Sequence, residues 1–137
     1  MAMKTEWQKI KDEIINSPKW LVSLDSNDVE TIAEGDDCNL IVLEAYTEEH
    51  SDDRFSLLKT DIYNQFKALN LEKCKILRLL IFVQFPISFP IMMAEMNSIN
   101  ELIDNIIGEN MNCEIKWGLS PREDSISRIV CAFSPVL

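Results

Sequence analysis

The run Ile76-Leu77-Arg78-Leu79-Leu80-Ile81-Phe82-Val83 constrains this chain more than any other stretch. It is apolar throughout except for Arg78, with no alternation of wet and dry positions. A strand with one wet face would alternate. A near-continuous apolar run fits a central strand covered on both faces. The rest of the chain must supply neighbours for that strand and layers to cover it.

Those elements are readable on either side. Trp7, Ile10, Ile14 and Ile15 share one helical face, with Lys9, Asp12 and Glu13 outside, and Asn16-Ser17-Pro18 stops the helix because proline disfavours helix in the residue before it. A short helix follows from about Asp28 to Ala33, closed by Gly35 as a C-cap. Asn39 to Tyr46 reads as a strand. Ser51 is the expected N-cap of a helix carrying Phe55, Leu58, Ile62, Phe66 and Leu69, with Lys59, Asp61 and Asn64 on the wet side. Pro86 and Pro90 punctuate a loop, and Pro90 suits the first turn of a helix carrying Met92, Met96, Ile99, Leu102, Ile103 and Ile106, ended by Gly108. Met92, Met93, Met96 and Met111 read as core filler. Cys113 to Leu119 and Ile126 to Phe133 read as strands, and the turn Ser120–Ser125 between them predicts an antiparallel hairpin with an edge open to pairing with another copy.

The expected fold is α+β: a two-layer mixed four-stranded sheet with two helices packed on one face, plus an N-terminal helix. With 137 residues, 3 glycines and no linker or repeat, residues 1–137 read as one domain. Its parts are an N-terminal helix over 1–17, an acidic loop and short helix over 18–35, and the sheet and helices over 36–137.

Composition excludes several functions. A net charge of −10 disfavours nucleic acid and anionic membrane, which both require positive patches. No apolar run is long enough to span a bilayer, so a cytoplasmic location is expected. Cys38, Cys74, Cys113 and Cys131 form no C-x-x-C and read as buried reduced thiols; with a lone His50 there is no zinc pattern. His50 reads as a solvated surface residue. No metal site and no cofactor is expected.

The acidic pair Asp25 and Asp28 lies in Ser23-Leu24-Asp25-Ser26-Asn27-Asp28-Val29. The structural role open to it is capping the short helix, worth about 0.5–2 kcal/mol, helped by the attraction of carboxylates to a helix N-terminus. The functional role is presentation to another molecule.

The passage Ile15-Asn16-Ser17-Pro18-Lys19-Trp20-Leu21-Val22 through Asp28-Val29-Glu30-Thr31-Ile32, followed by Gly35 and Arg54, resembles the FtsZ/tubulin superfamily on its FtsZ side. The family's loop after its core helix carries Asn, any residue, Asp, two residues, Asp, Val. Ser23 stands at the asparagine position, and Asp25 and Asp28 match the two acids. Arg78 to Val83, Ile115-Lys116-Trp117-Gly118 and Arg128-Ile129-Val130-Cys131-Ala132-Phe133 resemble strands of the family's C-terminal domain. The likeness runs from about Ile15 to Pro135. No glycine-rich phosphate loop is present, and Gln84-Phe85-Pro86 replaces the glycines after the family's central strand.

The resemblance implies a C-terminal domain without the GTPase domain, and so no catalysis by this chain alone. In the family the acidic loop completes the nucleotide pocket of the next subunit, where an acid orients water or holds a cation. Ser23, Asp25 and Asp28 are therefore candidates to act in trans. The reading is a non-enzymatic interaction or assembly module whose partner is an FtsZ-type protein or a second copy. The alternative is a small enzymatic or ligand-binding domain reusing the fold, or a free-standing domain.

Overall fold

The computed structural model describes Lys9, Asp12 and residues 40–70, 75–108 and 113–136. The elements are β1 (Ile41–Thr47), α1 (Arg54–Ala68), β2 (Lys75–Pro86), α2 (Met93–Ile107), β3 (Glu114–Arg122) and β4 (Ser127–Val136). They form one mixed four-stranded sheet in the order β1-β4-β2-β3. β2 and β3 are parallel, and β4 runs antiparallel to both β1 and β2.

The apolar run is a central strand, paired on both sides and buried on both faces. Leu79, Ile81, Val83 and Phe85 alternate onto one face and share a core with Phe55, Leu58 and Ile62 of α1 and Ile99, Leu102 and Ile106 of α2. Each of these side chains stabilises the fold by about 1.5–3 kcal/mol on burial. The two helices therefore cover one face, as the spacing predicts. Leu80, Phe82, Val130 and Ala132 alternate onto the other face and are no more than 2% exposed. Edge-to-face packing of Phe66 on Phe133, centroids 5.6 Å apart, ties α1 to β4.

The structure differs from the sequence reading in several places. β2 continues through Gln84-Phe85-Pro86 instead of breaking there. Pro86 is the last strand residue, where the missing N–H is least costly. α1 starts at Arg54 with Asp53 as N-cap, and Ser51 contributes only its backbone carbonyl to the Arg54 N–H. α2 starts at Met93, so Pro90 lies outside it. Gly108 ends α2 at φ +55, a left-handed value glycine adopts without strain. Met92 and Met93 are 64% and 87% exposed, and only Met96 packs against the core. Met92 is the extended N-cap and Met93 the first helical residue, so the helical period that turns Met96 inward does not reach back to Met92.

The expected hairpin is the main correction. β3 and β4 are not paired, because β2 lies between them. Residues 123–126 step across the end of β2, a span of about two strand spacings near 4.8 Å each. A short turn joins adjacent strands most often, but four extended residues reach this far. β4 is consequently interior, and the sheet edges are β1 and β3. Lys9 and Asp12 are helical and exposed, as their place on the wet side requires. The rest of the expected N-terminal helix, the loop and short helix over 18–35, Cys38, Cys74 and Met111 lie outside the described residues.

Candidate functional site

Ser23, Asp25 and Asp28 lie outside the described residues. The structure instead brings polar side chains together at one end of the sheet, where β1, β2 and β3 all finish and both helices begin. Open sheets with parallel strands commonly hold ligands at this end.

Arg54, the first residue of α1, is fully buried there. Its Nε and Nη2 donate to Glu95 Oε2 at 2.8 Å and Oε1 at 3.0 Å. Nη1 donates to the Phe89 carbonyl at 2.8 Å and to Ser127 Oγ at 3.2 Å, and Nη2 to the Pro90 carbonyl at 2.9 Å. Every guanidinium proton is therefore used. The Phe55 and Phe89 rings lie against its charge at 4.9 and 4.6 Å. This closed cluster ties α1, the β2–α2 loop, α2 and β4 together and offers nothing to an outside molecule. His50 is exposed but not simply solvated: it stacks on Phe89 at 5.0 Å, and its Nε2 lies 3.2 Å from the Ser125 carbonyl.

A second polar group crosses all four strands on the face away from the helices. The step of residues 123–126 over β2 creates it, by placing Arg122 at the end of β3 and Arg128 near the start of β4 on opposite sides of Gln84. Arg122 Nη1 and Arg128 Nη1 both donate to Gln84 Oε1, at 2.8 and 3.0 Å. Arg128 Nε donates to Glu44 Oε1 of β1 at 3.0 Å. Arg122 holds Asp124 with both forks, at 2.8 and 2.7 Å. Hydrogen bonding from Arg122 is the main cause that lowers the Asp124 carboxyl to about 2. Above this row opens a cleft of about 410 Å³ lined by Glu44, Tyr46, Arg122, Ile126 and Arg128. Guanidiniums stay protonated near neutral pH, so Arg122 and Arg128 can bind and orient but not act as acid or base.

Sequence reasoning passed over this row. Gln84 was visible only as a departure from the family pattern, and Arg128 as the start of an apolar strand. The available signal was polar residues inside strands otherwise buried on both faces. Among the described residues no group of three His, Cys, Asp or Glu is placed to hold a metal ion, and no helix is long and apolar enough to cross a membrane.

No protein-family model matches the chain, and no curated protein matches it. Solved structures do. An FtsZ dimer from M. jannaschii superposes with a TM-score of 0.64 at 17% identity, over 89% of this chain and 34% of its own. The fold is that of the FtsZ C-terminal domain. A GTPγS-form protofilament of TubZ from Bacillus thuringiensis serovar israelensis gives a TM-score of 0.71 at 15% identity, over 97% of this chain and 34% of its own. CetZ from Methanosaeta thermophila gives 0.56 at 16% identity, over 96% of this chain and 36% of its own. At these identities the likeness is one of fold, and the chain spans about a third of the length of these structures.

Proposed function

We propose that residues 1–137 form one non-enzymatic interaction module that docks on an FtsZ-type protein or on a second copy of itself in the cytoplasm. One observation carries this reading: nearly the whole chain has the fold of about a third of proteins solved as protofilaments and helical filaments. In this reading Ser23, Asp25 and Asp28 are the residues presented to the partner, and any effect on nucleotide hydrolysis occurs in the partner's site. A carboxylate pair acts there by orienting water or a cation, and contributes nothing without a nucleotide to act on.

The test uses the purified chain with FtsZ from the same cell, followed by light scattering and GTPase rate. The reading expects the wild-type chain to change assembly or rate, and Asp25→Ala with Asp28→Ala to reduce that change. Identical traces with no chain, wild type and the double variant, together with a monomer at every concentration in analytical ultracentrifugation, would overturn it.

A further inference from the structure

We propose that Ile87, Met92 and Met93, at the entry to α2, together with the acidic loop between β1 and α1, dock a basic amphipathic helix of a partner protein. The inference stands apart from the filament reading, because it uses neither Ser23, Asp25 and Asp28 nor any nucleotide.

The apolar half of this surface breaks the rule that buries the rest of the chain. Ile87, Met92 and Met93 are 59%, 64% and 87% exposed. The stretch from Pro86 to Ala94 holds no charged residue, although 26% of the chain is charged. Tyr46, at the end of β1, and Leu57, in the first turn of α1, are exposed at the same end of the sheet. Of the large apolar side chains exposed among the described residues, only Leu69 stands at the opposite end. Single exposed apolar side chains are ordinary, whereas a gathering of them marks a contact surface. The backbone beneath is held: Met92 N–H donates to Glu95 Oε1 at 2.9 Å, and Arg54 donates to the carbonyls of Phe89 and Pro90 at 2.8 and 2.9 Å. The unbranched methionines above it adapt to the shape they meet.

The charge beside the patch selects the partner. Glu48, Glu49, Asp52 and Asp53 are all exposed. His50, in the middle of that loop, stacks on Phe89 with centroids 5.0 Å apart, which sets the acids next to the apolar stretch. Residues 48–53 and 86–94 contain no lysine or arginine. The arginines at this end each have an acid of their own: Arg54 meets Glu95, Arg122 meets Asp124 and Arg128 meets Glu44. The loop acids stand outside those pairs. Asp53 is the N-cap of α1 yet makes no side-chain cap hydrogen bond, so the fold does not use it there.

An apolar stripe flanked by lysine or arginine complements this arrangement. β2, which leads into the patch, is paired on both sides and has no edge to lend an extended peptide. Contact must come through side chains, which a helix presents. A second copy would bring the same acids, and an anionic membrane its own negative charge, so both are repelled.

The experiment titrates the full chain with a Leu/Lys amphipathic peptide of about four helical turns, its Leu/Glu counterpart and a Lys/Ser peptide, read by calorimetry and by amide NMR at Met92 and Met93. The Leu/Lys peptide should bind with Kd of about 50 μM. Ile87→Ser with Met93→Ser should weaken it about tenfold or more. Neutralising Glu48, Glu49, Asp52 and Asp53 to their amides should weaken it about tenfold and remove the loss of affinity between about 50 and 500 mM salt. Met93→Ser alone, at the most exposed of these side chains, should weaken it about threefold and serves if the double variant fails to fold. The proposal falls if the Leu/Lys peptide does not bind at about 1 mM, if either control peptide binds as tightly, or if the variants bind like wild type. A dimer, or binding to phosphatidylcholine vesicles, that Met93→Ser abolishes would give the surface to another occupant and overturn it as well.

Discussion

Glu95 on α2 grips Arg54 on α1 with both carboxylate oxygens, across 41 residues of sequence. Glu95 Oε1 also accepts the Met92 N–H at 2.9 Å, so the same carboxylate caps the helix that carries it. Removing one partner leaves a buried charge alone. Arg54→Met or Glu95→Gln should each cost about 3–5 kcal/mol in urea unfolding, and the double variant should cost less than the two losses added together. Additive losses would show that the two groups are not coupled.

Arg122 and Arg128 both donate to Gln84 Oε1, at 2.8 and 3.0 Å. Gln84→Leu removes it and should destabilise the chain by about 1–3 kcal/mol. Gln84→Glu places a negative charge between two positive ones and should raise the urea midpoint. A lower midpoint for Gln84→Glu than for Gln84→Leu would contradict this account of the row.

Asp124 gives a pH signature. Its folded carboxyl lies at about 2, below the ordinary 3.8, chiefly through hydrogen bonding from Arg122. A lowered acid stabilises the folded state above its unfolded value and loses that contribution as pH falls. The loss should therefore run from about 3.8 down to about 2. Its size is small, under about 1 kcal/mol, because the pair is largely solvated. Carboxyl-carbon NMR should give a midpoint near 2 for Asp124, moving up toward 3.8 in Arg122→Gln. A midpoint unchanged by that substitution would mean another cause holds it down.

The cysteines should differ in reactivity. Burial pushes the Cys131 thiol up to about 12, and burial together with the Glu114 charge raises Cys113. The thiolate is the reactive form, so both are slow. Iodoacetamide at pH 8, read by peptide mass spectrometry, should leave Cys131 unlabelled until urea unfolds the chain. Cys113, half-buried, should label slowly and faster in Glu114→Gln. Rapid native labelling of Cys131 would mean that β4 opens readily.

Phe133 and Met93 offer a contrast between inside and outside. Phe133→Ala should cost about 3–5 kcal/mol by opening a cavity between α1 and the sheet. Met93→Ala, on a side chain 87% exposed, should fall within about 0.5 kcal/mol of wild type.

The sheet and its two covering helices were legible because burial writes itself into period. Leu79 to Val83 had no wet position, and Ile99, Leu102 and Ile106 recur at helical spacing. What period does not carry is adjacency. The turn after β3 is short enough for a hairpin, and only pairing with β2 decides that β3 and β4 lie apart. The arginine row depends on that adjacency, so Arg122, Gln84 and Arg128 gave no local sign of meeting. Arg54 enters the sequence reading only through the family resemblance, and its burial depends on Glu95, Phe89 and Ser127, which are far away in sequence. The acidic pair Asp25 and Asp28 rests on the sequence pattern and the experiment proposed for it.

Among the described strands, the last in sequence is the one that joins the sheet. β1 pairs only with β4, and β2 and β3 reach β1 only through it. A chain growing from the ribosome therefore makes β1, β2 and β3 before it has the strand that unites them. Until Ser127–Val136 emerges, β1 and one side of β2 present bare hydrogen-bonding edges. Assembly of this sheet is thus timed by the arrival of β4.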